Sequence, residues 1–181
     1  MLKFFISDTH FGHKNIIKYS NRPFKSIEEM DNILISNWNK RVKKEDTVFH
    51  IGDFCFGKST EAPNSKGFKY YKEQLNGNII FIKGSHDKNN LNKTVVRNLV
   101  IELGGMNIFL VHDPENCDIN YEFNIVGHVH DKWKFKRFRR GFSFTDCCNV
   151  SVEQWNYQPV TIVEIFQELA KWRKENGFTS H

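Results

Sequence analysis

The sequence predicts a layered α/β sandwich with mixed sheets. Two observations carry that expectation. Apolar runs of strand length alternate with helix-period segments in the first half of the chain and predominate in the second. Five of those runs also end on Asp or His, and in α/β proteins chemistry collects at the carboxyl ends of strands. The 181 residues contain no internal repeat, low-complexity segment or linker, so one domain spanning 1–181 is expected.

The elements follow in order. Leu2-Lys3-Phe4-Phe5-Ile6 reads as a core strand ending at Ser7-Asp8-Thr9-His10. A polar loop runs through Phe11-Gly12-His13 to Asn21-Arg22-Pro23-Phe24. Ser26 with Glu29 forms a capping box. Ile27, Met30, Leu34 and Trp38 then recur at helical spacing up to Lys40-Arg41. Thr47–Ile51 is a second strand, ending at Gly52-Asp53, and residues 57–67 form a loop. Phe68 to Leu75 reads as a helix closed by Asn76-Gly77. The strand Asn78–Ile82 leads into Lys83-Gly84-Ser85-His86-Asp87.

Asn98–Leu103 and Met106–Val111, joined by Gly104-Gly105, carry a hairpin signal. The second arm ends at His112, and the strand Phe123–Val126 ends at Gly127-His128-Val129-His130. A basic, aromatic hairpin is expected at about 131–145, and Asn149 to Val152 reads as a further strand. Thr161 and Glu164 cap a last helix whose buried stripe is Ile162, Ile165, Phe166, Leu169 and Trp172, with Gly177 ending it.

Composition excludes several classes. With 39% hydrophobic and 26% charged residues the chain is an ordinary globular protein rather than a disordered one. No apolar run approaches the ~20 residues that span a bilayer, so no membrane association is expected. Met1–Asp8 turns polar too soon for a signal peptide. Cys55, Cys117, Cys147 and Cys148 have no CxxC spacing and read as reduced, mostly buried thiols. A cytoplasmic protein is therefore expected. The net charge of +5 favours anionic ligands such as nucleotides or nucleic acid.

The strand ends gather Asp8, His10, Asp53, His86, Asp87, His112, His128 and His130, which include five of the eight histidines in the chain. Each alone is an ordinary loop or core residue; together they favour a metal site. Mixed imidazole and carboxylate ligands suit Mn, Fe, Zn or Ni rather than Ca. Six or more ligands exceed what one catalytic ion uses while keeping a position open. Two divalent ions with one bridging carboxylate is the economical reading, with manganese first and iron, nickel or zinc as alternatives. Such pairs polarise a phosphoryl group and hold a hydroxide for in-line attack.

Asp8-Thr9-His10, Gly52-Asp53, Gly84-Ser85-His86-Asp87, His112 and Gly127-His128-Val129-His130 resemble the five ordered motifs of the calcineurin-like metallophosphoesterases. The match covers residues 4 to about 130. Ser7 to Ile17, Asn149-Val150 and Trp155-Asn156-Tyr157-Gln158-Pro159 resemble a small bacterial and phage branch of that superfamily. The resemblance implies a four-layer αββα sandwich with two mixed sheets and the site at one end of them. It implies that Asp8, His10, Asp53 and His130 hold one metal and that Asp53 bridges. His112 and His128 would hold the second, with Ser85 where the family usually has asparagine. His86 would face the substrate as general acid or charge stabiliser, and Asp87 would orient its imidazole. Ser85 is the departure: a neutral hydroxyl is a shorter and weaker donor than a carboxamide oxygen, so a weaker second site is expected.

Other candidates keep two readings each. His13 either reaches a substrate phosphate or supports its loop. Arg22 either clamps a phosphate or forms an ion pair. His50 reads as a hydrogen-bonded core residue. In Asp131–Phe142, six cations alternate with four aromatics, which would put aromatics mainly on one strand face and cations mainly on the other. That segment is either a phosphate-tracking strip with stacking surfaces or a basic edge that discourages aggregation. The function expected is a metal-dependent phosphoesterase acting on a phosphoester, a phosphodiester before a monoester. A polynucleotide nuclease and a non-catalytic interaction module of the same fold are the rivals.

Overall fold

The computed structural model describes residues 1–56, 66–87 and 96–178. Most of the loop expected at 57–67 lies outside the described residues. Among the described residues nine strands form two mixed sheets. The first has the order β3 (Asn78–Ile82), β2 (Thr47–Ile51), β1 (Lys3–Ile6), β9 (Val160–Thr161). Its first three strands are parallel, and β9 runs antiparallel to β1. The second has the order β4 (Asn98–Leu103), β5 (Met106–Val111), β6 (Phe123–Val126), β8 (Ser143–Asn149), β7 (Phe135–Arg140). There β5, β6 and β8 are parallel and both edge strands antiparallel. Two mixed sheets are thus present, as expected.

The helices among the described residues are α1 (Ile16–Tyr19), α2 (Ile27–Arg41), α3 (Phe68–Lys72) and α4 (Ile162–Glu175). The α2 stripe Met30, Leu34 and Trp38 is buried against Phe4, Ile6 and Val48 of the first sheet. Each such side chain contributes roughly 1.5–3 kcal/mol by leaving water. Between the sheets, Phe5, Phe49 and Ile51 meet Ile108, Leu110, Phe123 and Ile125, and α4 adds Ile165 and Leu169 to that core. On the other face of the second sheet, Cys117, Tyr121 and Trp133 pack on Phe109, Val111 and Val126.

Local chemistry explains most boundaries. Both turn residues of the β4–β5 hairpin, Gly104 and Gly105, have positive φ (62° and 80°), as a two-residue hairpin of the favoured twist demands. Thr161 and Glu164 form the full reciprocal capping box. The expected box at α2 is only half present. Ser26 accepts from the Glu29 N–H, but the Glu29 carboxylate reaches one residue further back, to the Lys25 N–H at 2.6 Å.

Three expectations change. The helix expected over Phe68–Leu75 stops at Lys72, because Gln74 and Leu75 donate to carbonyls three residues back and Asn76 is drawn to Asn39 and Val42. Part of the expected loop before Arg22 is the short α1. Residues 149–152 are not a strand of their own. Asn149 ends β8, and Val150 then stitches the two sheets, donating to Val126 O and accepting from Ser7 N. A 3-10 turn, Val152–Trp155, follows. This stitch lies beside the carboxyl ends of β1 and β6, where the motif residues converge. No helix among the described residues is long and apolar enough to cross a membrane.

Candidate metal centre

The loops after β1 and β2 stay zipped beyond their strands. Asp8 N donates to Gly52 O and His10 N to Asp53 O, both at 3.0 Å. Close packing requires glycine here. A Cβ on Gly84 would overlap the backbone of Asp53, and one on Gly52 (φ +86°) would lie 2.7 Å from the Gly84 Cα. The chain is bent hard at this end. Asp8, His10, Asp53, His128 and His130 all have positive φ, between 47° and 71°. Left-handed backbone costs a non-glycine residue roughly 1–3 kcal/mol and concentrates at functional sites.

The bends bring two groups of ligand atoms together. Asp8, His10 and His130 form one and Asp53, His112 and His128 the other, each with its ligand atoms within 4.8 Å of one another. Asp53 Oδ2 joins them, 3.7 Å from His10 Nε2 and 3.3 Å from His112 Nε2. In four of these side chains the remaining atoms are spoken for. Asp8 Oδ2 accepts from Ser151 Oγ (2.7 Å) and from His128 N (2.9 Å). Asp53 Oδ1 accepts from His86 N at 2.8 Å. His112 Nδ1 donates to Ile51 O (2.8 Å) and His130 Nδ1 to Glu153 Oε1 (2.9 Å). Because those partners only accept, the proton of the neutral ring sits on Nδ1, which leaves each Nε2 as the donor atom towards the centre.

What faces the centre is unsatisfied. Asp8 Oδ1, His10 Nε2 and His112 Nε2 are buried and lack hydrogen-bond partners, an arrangement that costs free energy unless something else binds them. Carboxylate oxygen and imidazole nitrogen are the donor set of divalent transition metals, and the residues fit such ions.

The charges of the metal-free centre set what an incoming ion must displace. Burial raises the Asp53 pKa, but His112 and the His86 N–H outweigh it and hold the carboxyl down to about 2. Burial likewise lowers the His112 pKa, but Asp53, Asp8 and the Ile51 carbonyl outweigh it and lift the ring to about 9. Burial keeps His10 well below its ordinary value, hence neutral.

Around the centre opens a cleft of about 240 Å³ whose lining includes His10, His13, Tyr19, His86, His130 and Lys132. His86 is exposed there, its ring 5.5 Å from that of His10. His13 is buried and stacked on Phe56 at 4.2 Å. The Ser85 hydroxyl donates to Asp53 Oδ2 at 3.3 Å. His50 is a core residue bonded to Thr9 Oγ1 at 3.0 Å, and His181 lies outside the described residues.

One open reading is decided and one expected role corrected. Arg22 forms the ion pair, with Glu153 at 2.8 Å and buried rather than on the surface, and does not clamp substrate. It is buried, and all five of its N–H donors are engaged, by Glu153, Thr9 O, Asp8 O and Met30 Sδ. Asp87 does not orient the His86 imidazole. Its buried carboxylate accepts from Gly84 N (2.7 Å), Asp53 N (3.0 Å) and Phe54 N (3.2 Å), so it pins the two motif loops together.

Glu153, Ser151 and Asn149 were not foreseen as parts of the centre. Asn149 holds the His130 and Trp133 carbonyls, at 2.8 Å each. Glu153 bridges Arg22 and His130 across separations of 131 and 23 residues, which no local pattern marks.

Residues 1–137 match the calcineurin-like phosphoesterase superfamily domain. An uncharacterized protein of Methanocaldococcus jannaschii is 39% identical over 174 residues, 93% of this chain and 91% of that one. The gene 66 protein of Mycobacterium phage L5 is 32% identical over 83 residues, 46% of this chain and 38% of its own length. The crystal structure of a protein of unknown function from Aquifex aeolicus superposes with a TM-score of 0.67 at 26% identity, covering 92% of this chain and 98% of that one.

Proposed function

Because the chain belongs to the calcineurin-like phosphoesterase superfamily, we propose that it hydrolyses phosphodiesters with two divalent metal ions, manganese first among the candidates and iron, nickel or zinc next. The observation that carries this reading is the pair of ligand triads joined by Asp53 Oδ2, each offering buried atoms with no other partner. Asp8, His10 and His130 would hold one ion, His112 and His128 the other, and Asp53 both. When bound, such a pair polarises a phosphoryl group and neutralises charge in an in-line displacement.

The chain's own groups do the rest. His86 stands exposed in the cleft beside His10, placed to hold a proton for the departing oxygen at its ring. Such an acid would assist the departure of an alkoxide leaving group. His13 and Lys132, in the cleft wall, are placed to contact substrate oxygens. Ser85 offers a hydroxyl beside Asp53 in place of a stronger ligand. The four unbridged cysteines fit a reducing compartment such as the cytoplasm.

The test is the metal-stripped protein supplied with Mn²⁺, Ni²⁺, Zn²⁺ or Mg²⁺ and assayed on mono- and diester substrates. Hydrolysis of a diester that depends on the added ion is expected. Failure with every ion would sink the enzymatic reading. His86→Ala should keep its metal and lose about 10²–10⁴ in turnover.

A further inference from the structure

The cations after the last metal motif divide into two sets. Arg137 is structural: it pairs with Asp146 at 2.6 Å and stacks on Phe144 and Phe178 at 4.1 and 4.0 Å. Lys134 lies over Trp155 at 4.2 Å and near Glu168 at 4.0 Å. Lys132, Lys136, Arg139 and Arg140 are exposed and, among the described residues, have no carboxylate partner.

The expected sorting of aromatics and cations onto opposite faces does not occur, because Lys136-Arg137 breaks the alternation. Each face of β7 is mixed instead. The register pairs Lys136, Phe138 and Arg140 with Cys147, Thr145 and Ser143, so these three share a face. Cys147 touches Cys117 there, on the side where Trp133 packs. Lys136 Nζ lies 5.9 Å over the Trp133 ring and 5.1 Å over the Phe138 ring. At the hairpin tip Phe142 is fully exposed; Phe144 pairs with Arg139 and lies on the opposite face, under Arg137.

On this face Lys136 and Arg140, with no carboxylate partner among the described residues, flank the half-buried Phe138 ring, with Phe142 exposed at the tip, which matches the needs of a polyanion with flat bases. Backbone phosphates meet the cations and bases stack on the rings without regard to sequence. The strip starts at Lys132, which also lines the cleft over the metal centre. Building on the phosphodiesterase reading above, we infer that the exposed face of β7 binds single-stranded nucleic acid and feeds it to the centre, making the diester a polynucleotide's.

The test is fluorescence anisotropy of the full chain with an end-labelled oligothymidylate whose phosphorothioate links resist hydrolysis. Affinity should fall steeply with salt. Lys136→Ala with Arg140→Ala removes two phosphate contacts, so the log–log salt slope should become shallower by about 1.4. Phe138→Ala should weaken binding roughly fivefold or more. Phe142→Ala, at an exposed tip, gives the same readout if the former variant unfolds. No binding, binding unchanged in these variants, or binding to anionic phospholipid vesicles in place of the oligonucleotide would overturn the inference. The two readings separate cleanly: metal-dependent hydrolysis of a small chromogenic diester tests the enzyme, and the double variant should retain it in full.

Discussion

Replacing Glu153 by glutamine probes the support of the metal centre with little change of shape. Glu153 Oε1 accepts from Arg22 Nε at 2.9 Å, Arg22 Nη2 at 2.8 Å and His130 Nδ1 at 2.9 Å. The Arg22 and Glu153 side chains are 0% and 3% exposed, so solvent does not screen the pair. The amide keeps one acceptor oxygen but removes the charge that balances a buried guanidinium. Breaking one side of a buried pair costs about 3–5 kcal/mol, and the surviving acceptor puts this variant near the lower figure. Arg22 also holds the Asp8 and Thr9 carbonyls between the bent residues, so its release should loosen the Asp8–His10 loop. A second effect is local to His130. Partners behind a metal-binding histidine are worth about 10–100-fold in affinity, or about 1.4–2.7 kcal/mol. Urea unfolding of the metal-free protein measures the first effect and calorimetric Mn²⁺ titration the second. The Asp53–His112–His128 group does not touch Glu153 and serves as internal control, so one binding step should weaken and the other hold. A variant with the parent's urea midpoint and both binding steps unchanged would refute the reasoning.

Ser85→Asn should tighten the weaker metal-binding step, since a carboxamide oxygen would replace a hydroxyl now donating to Asp53 Oδ2; equal occupancy and turnover in both proteins would show that the position is no ligand. Gly84→Ala should abolish metal uptake and lower the urea midpoint, because its methyl would overlap the Asp53 backbone; a normal titration would disprove that contact. His112, lifted from 6.5 to about 9 in the metal-free protein, adds stability that is full below about 6.5 and disappears as pH rises through about 9. Metal requires the neutral ring, so apparent affinity should climb with pH between those values, with proton release on binding. Calorimetry in buffers of different ionisation enthalpy would detect that proton, and a pH-independent affinity would contradict the assignment.

Legibility followed range. The strands β2 to β6 appear in the sequence with their limits because apolar runs bounded by polar turns need only local information. Asp8, His10, Asp53, His112, His128 and His130 stand out because each terminates such a run. Arg22 was left open, Asp87 misassigned and Glu153 missed for a common reason. Their partners lie 3 to 131 residues away, and a charged residue in a loop gives no sign of facing inwards. The basic hairpin shows the same limit: strand pairing, not composition, puts Arg137 against Asp146 and leaves Lys136 and Arg140 without a carboxylate partner among the described residues.

By itself the sequence determined the α/β class, most of the strands and the six side chains that meet in two triads. Those follow from hydrophobic period and residue type, which are properties of short segments. The tertiary structure puts Asp53 between the triads, as the resemblance implied, and alone decided that five residues of the centre are held in left-handed backbone and that Val150 stitches one sheet to the other beside them. It also gave Asp87 and Arg22 to the scaffold. A buried charge must find its partners, and only the packed fold says which groups are within reach.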